Sequence, residues 1–95
     1  MVKIPQDFQG VLWSRDVSHL NLHKDKGYII HQVLMFGSLQ QISWLESVYS
    51  LGEIREVFIN SPRRIYTPLA FHFVKNYLLR ISKNLLEEAY VKAPL

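Results

Sequence analysis

The chain has no cysteine among its 95 residues. Disulfides, thiolate metal sites and a cysteine nucleophile are thereby excluded. A small secreted domain usually leans on disulfides, so a cytoplasmic location is expected. Long apolar runs are missing too: no stretch approaches the ~18 consecutive apolar residues of a membrane span. Met1 to Gly10 lacks the basic-then-apolar layout of a signal peptide, and no leader is expected. Glycine is scarce. The four glycines stand alone at positions 10, 27, 37 and 52, which rules out a glycine-rich phosphate loop. Charge of one sign is also limited. The formal net charge is +3, compatible with nucleic acid or an acidic partner but specific to neither.

What is present reads as one globular domain. Hydrophobic residues make up 48% and charged residues 20% of the chain, close to the globular average. There is no repeat, low-complexity run or linker. The expected class is all-α: a small single-domain bundle of about four helices, with an irregular N-terminal arm and a helix-turn-helix-like centre. Residues 1–22 form the arm, 24–80 the helical core and 81–95 a C-terminal helical extension.

Local signals define the elements. In the arm from Val2 to Leu20, residues Ile4, Phe8, Val11, Leu12 and Trp13 are apolar anchors, with Pro5 and Gly10 as breakers. The spacing of Ile29, Ile30, Val33 and Leu34 predicts a helix over Lys24 to Phe36, with Gly37 in a left-handed cap. Ser38-Leu-Gln-Gln41 and Ser50-Leu-Gly-Glu53 each match a capping box. In that motif the serine oxygen takes an orphan N–H and the Gln or Glu side chain reaches back. The helices they open carry Leu39, Ile42, Leu45 and Val48, then Ile54, Val57 and Phe58. Thr67-Pro68 starts the last helix, because a missing N–H costs nothing at the first helical position. No Gly or Pro follows before Val91, so this helix is predicted to run unbroken from Pro68 to Val91. The predicted core is Trp13, Ile29, Ile30, Val33, Leu34, Ile42, Leu45, Val48, Ile54, Val57, Phe58, Val74 and Leu78.

No residues gather into an enzyme-like pattern. His19 and His23 are four apart, but they sit in a turn-like segment without a completing carboxylate, and zinc needs three or four placed ligands. His31 and His72 read as surface or half-buried helix residues. Pairs such as Asp16 with His19, or Glu46 with Ser47 and Ser50, arise by chance in any chain of this size. No enzymatic activity, metal or other cofactor, or small-molecule substrate is expected. Trp13 and Trp44 read as core fillers.

The basic residues are more suggestive. Arg63 and Arg64 enter the last helix and Lys75 lies on it. Clustered at a helix N-terminus, the three would contact phosphates. Against a DNA-reading helix-turn-helix, Trp44-Leu45-Glu46 stand where a small residue is expected. Glu53 and Glu56 on the second helix would also oppose phosphates. The far end of the last helix keeps an apolar stripe of Ile81, Leu85, Leu86, Ala89 and Tyr90. This is the expected protein interface, with a second copy of the chain or a cognate protein as partner. The alternative is a helix that breaks near Ser82-Lys83-Asn84 and folds back on its own core.

Several stretches match a known pattern in order: Ile4-Pro5-x-x-Phe8, Val11-Leu12-Trp13-x-x-Asp16, Tyr28-Ile29-Ile30-x-x-Val33-Leu34-x-Phe36-Gly37, Ile42-x-Trp44-Leu45, Tyr49, Glu53-Ile54-Arg55-Glu56-Val57, Ser61-x-Arg63-Arg64 and Thr67-Pro68. Over about residues 4 to 80 the chain resembles a family of small prokaryotic helical domains encoded beside nucleotidyltransferase-type toxins of the AbiEii kind. Ser14, Glu46, Pro62 and the tail from Ile81 depart from that pattern. The resemblance implies an antitoxin or accessory partner. Two classes follow: a protein-interaction module that masks a toxin and, as the alternative, a helix-turn-helix-like nucleic-acid-binding regulator.

Overall fold

Ser38 and Ser50 open two successive helices by the same device. Each serine hydroxyl accepts the backbone N–H three residues on, from Gln41 at 3.2 Å and from Glu53 at 3.1 Å. The Gln41 and Glu53 side chains return the bond to the serine N–H groups. Both capping boxes thus form as the sequence predicts. A computed structural model describes residues 3–92. Within them α1 spans Lys26–Phe36, α2 Leu39–Val48, α3 Leu51–Asn60 and α4 Pro68–Phe73. The described residues contain no strand, only an isolated parallel bridge between Tyr66 and Val91. The fold is a small all-α domain.

Helix α1 is central, packing on both α2 and α3. Ile29, Ile30, Val33, Leu45, Ile54 and Phe58 meet in a core from which water is excluded. Gly37 ends α1 in an extended conformation, φ −76°, in place of the expected left-handed cap. A glycine is still required there, because a Cβ would stand 2.6 Å from the Val33 carbonyl oxygen.

The arm is ordered rather than trailing. The Gln9 side chain staples it, donating to the Leu12 and Arg15 carbonyls and accepting from the Val17 N–H. Gln32, buried on α1, donates to the Val11 carbonyl at 2.9 Å. Phe8, Val11, Leu12 and Val17 thereby enter the core. Val2, at the start of the expected arm, lies outside the described residues.

Trp13 is a correction to the predicted core. The side chains of Val11 and Leu12 turn inward, and the next residue faces out, leaving Trp13 56% exposed. Val48 and Leu78 are half-buried. Trp44 is half-buried too, its ring against Phe8 at 4.7 Å. His31 is buried outright, not at the surface.

The predicted helix from Pro68 to Val91 does not form. Thr67 caps its start by accepting from Ala70 N–H. The helix widens to a π turn at Val74–Leu78 and stops at Arg80, whose φ is +50°. From there the chain folds back, with a single 3-10 turn at Glu87–Ala89. The break comes two residues before the Ser82-Lys83-Asn84 of the fold-back alternative, and in place of the expected helical extension over 81–95 the described residues 81–92 are irregular apart from that turn. Residues 93–95 of that extension lie outside the described residues. The cause is tertiary. Leu79, Ile81 and Tyr90 are all buried, a burial that one straight helix does not offer. Two basic side chains take up the carbonyls freed at the break: Arg55 Nε donates to Leu79 O at 2.7 Å and Lys75 Nζ to Ile81 O at 3.1 Å. Returning, the Tyr66 N–H donates to the Tyr90 carbonyl at 2.9 Å. The Tyr90 ring lies 4.7 Å from Phe58 and 4.9 Å from Phe71, closing an aromatic cluster with Tyr66. Its hydroxyl donates to Phe58 O.

Candidate binding surfaces

The predicted phosphate cluster separates. Arg63 and Arg64 are exposed side by side in the α3–α4 connection. Lys75 lies seven residues past Pro68, roughly 10 Å along the axis at ~1.5 Å per residue. Its ammonium is engaged by Ile81 O and by Asn76 Oδ1. Lys75 is therefore a cap for the chain reversal and does not join the arginines. Arg55 on α3 is likewise engaged at Leu79 O.

The predicted protein interface is also revised. Ile81 and Tyr90 are 6% and 2% exposed, packed in the chain's own core. Leu85 and Ala89 are half-buried against it, and Leu86 alone is exposed. A continuous stripe needed a continuous helix, and the helix breaks.

Two other surfaces emerge. The first is a row on α4 and its π turn: Leu69, Phe73 and Tyr77, exposed by 83%, 43% and 73%. They are four residues apart, so they share one face, and the Phe73 and Tyr77 rings stack at 6.0 Å. The four-residue spacing of this row is visible in the sequence, but the parallel stripe through Val74 and Leu78 has the same spacing, and spacing alone does not say which of the two is covered.

The second surface is a strip of rings and guanidinium. Trp13 meets Phe36 edge-on at 4.8 Å, at the C-terminal end of α1. Next to it Ser14 bonds the Tyr28 hydroxyl through both its N–H and its Oγ, at 3.1 and 2.8 Å. The Arg63 guanidinium lies 5.8 Å over the Tyr28 ring. Arg64 follows. Among the described residues no carboxylate pairs with Arg63 or Arg64. Of the nearby acids, Asp25 pairs with Arg15 at 3.3 Å and Glu53 with Lys26 at 3.9 Å, while Glu56 on α3 is exposed and has no cation within ion-pair distance among the described residues.

A cleft of about 690 Å³ lies between the arm and the α2–α3 corner. Several of its polar groups are engaged in local structure. Tyr49 donates to Leu22 O, Asn21 accepts from the His23 and Lys24 N–H groups, and Glu53 caps Ser50. His19 and His23 stay exposed, and no group of three or more His, Asp or Glu gathers among the described residues. His72 is exposed and pairs with Glu87 at 3.0 Å. Asp16 accepts from Ser18 N–H and Oγ, bonds that hold its carboxyl below the usual carboxylate range and fix it as a turn cap. No described helix is long and apolar enough to cross a membrane.

A family model described as "Family of unknown function (DUF6922)" matches residues 8–58. The chain belongs to this family. No curated protein and no solved structure matches it. The DUF6922 match runs from the arm through α3. It includes Trp13, Tyr28 and Phe36, and it ends before Arg63, Arg64 and the row on α4.

Proposed function

We propose that this DUF6922 protein is a non-enzymatic protein-interaction module that serves as antitoxin or accessory partner to a nucleotidyltransferase-type toxin. The observation that carries the interaction reading is the row Leu69, Phe73 and Tyr77. Three large side chains, Leu69 and Tyr77 mostly and Phe73 partly in water, share one face, and an exposed apolar face of this kind marks a contact surface. Its phenylalanine and tyrosine supply large area at low cost in side-chain freedom, as the anchors of protein interfaces do. The toxin as partner rests on the resemblance of residues 4 to 80. A duplex-reading helix-turn-helix has less support: α3 carries Glu53 and Glu56, and Lys75 is engaged elsewhere.

The test is co-expression with the product of the adjacent reading frame. A nucleotidyltransferase-like protein that arrests growth alone, and is silenced and co-purified with this chain, is the expected result. The Leu69→Glu, Phe73→Glu double variant, altered only at exposed positions, is expected to lose the complex and keep its circular dichroism. Co-purification unaffected by that variant would remove the row as the contact. Growth arrest that the wild-type chain does not relieve would remove the antitoxin reading.

A further inference from the structure

The strip from Phe36 to Arg64 differs in chemistry from the row on α4. It presents π faces, hydroxyls and guanidinium groups in sequence. Trp13 and Phe36 are 56% and 41% exposed. Their edge-on contact, with an interplanar angle of 69°, leaves ring faces open to water. Ser14 holds Trp13 in place beside Tyr28, and Tyr28 carries the Arg63 guanidinium above its ring. A guanidinium held over a ring is itself a flat stacking surface. The neighbouring Asp25 and Glu53 are compensated by Arg15 and Lys26. Arg63 and Arg64 have no carboxylate partner among the described residues, so both guanidinium groups are free to meet an anion.

We propose that this strip binds single-stranded nucleic acid, with unpaired bases stacked on Trp13 and Phe36 and backbone phosphates held by Arg63 and Arg64. Open aromatic faces beside uncompensated arginines are the two parts of a single-strand platform. A duplex keeps its base faces hidden and has no use for such rings. The row on α4 carries no arginine, whereas the strip sets two exposed arginines beside its rings, a pairing that fits bases and phosphates together. The two surfaces are thus distinct, and this inference stands apart from the toxin reading.

Fluorescence anisotropy of a labelled single-stranded DNA of about 12 nucleotides, set beside its duplex, tests the proposal. The single strand is expected to bind more tightly than the duplex. Between about 50 and 200 mM salt, two phosphate contacts give a log–log slope of about −1.4, at −0.7 each. Trp13→Ala is expected to weaken binding about tenfold without changing the slope, and Trp13→Phe to recover most of the loss. The Arg63→Ala, Arg64→Ala double variant is expected to flatten the slope. These positions are exposed, so unchanged circular dichroism verifies folding. Preference for the duplex, wild-type affinity in Trp13→Ala, or no saturable binding at low salt would each overturn the proposal. If oligonucleotides fail while Trp13→Ala abolishes co-purification with the neighbouring gene product, the strip is a protein contact and only this inference falls.

Discussion

His31 is buried between two partners that leave it no freedom. The Ser61 carbonyl, 2.7 Å from Nε2, only accepts, so Nε2 carries the ring's hydrogen. Nδ1 then accepts from the Tyr66 hydroxyl at 2.9 Å. A second proton has no place in this arrangement. Burial, and secondarily the Arg63 charge, push the imidazole down to about 4 against the opposing pull of the Ser61 carbonyl. The unfolded chain titrates near 6.5 and so binds the extra proton first. The stability His31 contributes is complete above pH ~6.5 and declines as pH falls toward ~4, by about 3 kcal/mol in all. Urea midpoints at about pH 4.5 and 7.5 should differ in the wild type, and the difference should shrink in His31→Gln. Equal wild-type midpoints would show that His31 is not held neutral. None of this was legible in the sequence. A histidine between Ile30 and Gln32 gives no sign of burial when the partner that buries it is Tyr66, 35 residues away. Trp13 failed in the opposite sense, because a large ring reads as core until its neighbours are known to face inward.

Elements were legible where their signals are local. The two capping boxes and Thr67-Pro68 are four- and two-residue messages, and the helices begin where those messages stand. The end of α4 has no such message. Its stop is made by Arg55, 24 residues upstream, and by Lys75, which supply donors to the freed carbonyls. Arg80 closes the reversal with φ +50°, a conformation costing a side-chain-bearing residue roughly 1–2 kcal/mol. Arg80→Gly relieves that strain and gives back part of it as unfolded-chain entropy. A net gain of about 0.5–1 kcal/mol in thermal or urea unfolding is expected. A loss of stability would mean that the Arg80 side chain holds the reversal by a contact of its own. The same missing message explains the misplaced interface: Ile81, Leu85, Ala89 and Tyr90 share a face only on a helix that does not exist.

At the scale of the molecule, the tail completes the core. The radius of gyration is 12.9 Å, against about 12.4 Å expected for a compact chain of this length. That value is reached because residues 81–91 return to the body. Tyr90 packs against Phe58, Phe71 and Tyr66. Losing a buried aromatic ring costs about 3–5 kcal/mol, out of a total near 5–15 kcal/mol for a domain. A chain ending at Arg80 is therefore expected to melt roughly 15 °C or more below the full chain. Light scattering of both at the same concentration separates the roles of the tail. If the shortened chain keeps its melting temperature and only drops in mass, the tail is an interface after all. The all-α class was legible from helical spacing throughout. The binding surfaces were not, because each depends on which side of an element the rest of the chain leaves uncovered.

Tyr90 also sets a clock. It is made 32 residues after Phe58, the ring it covers. At roughly 5–20 residues per second on a ribosome, that interval lasts about 2 to 6 s. During it α1 and α3 are already made, but the ring that covers Phe58 is still missing. The aromatic cluster of Phe58, Tyr66 and Phe71 closes only once Tyr90 has been added, so the core cannot be completed segment by segment as the chain is made.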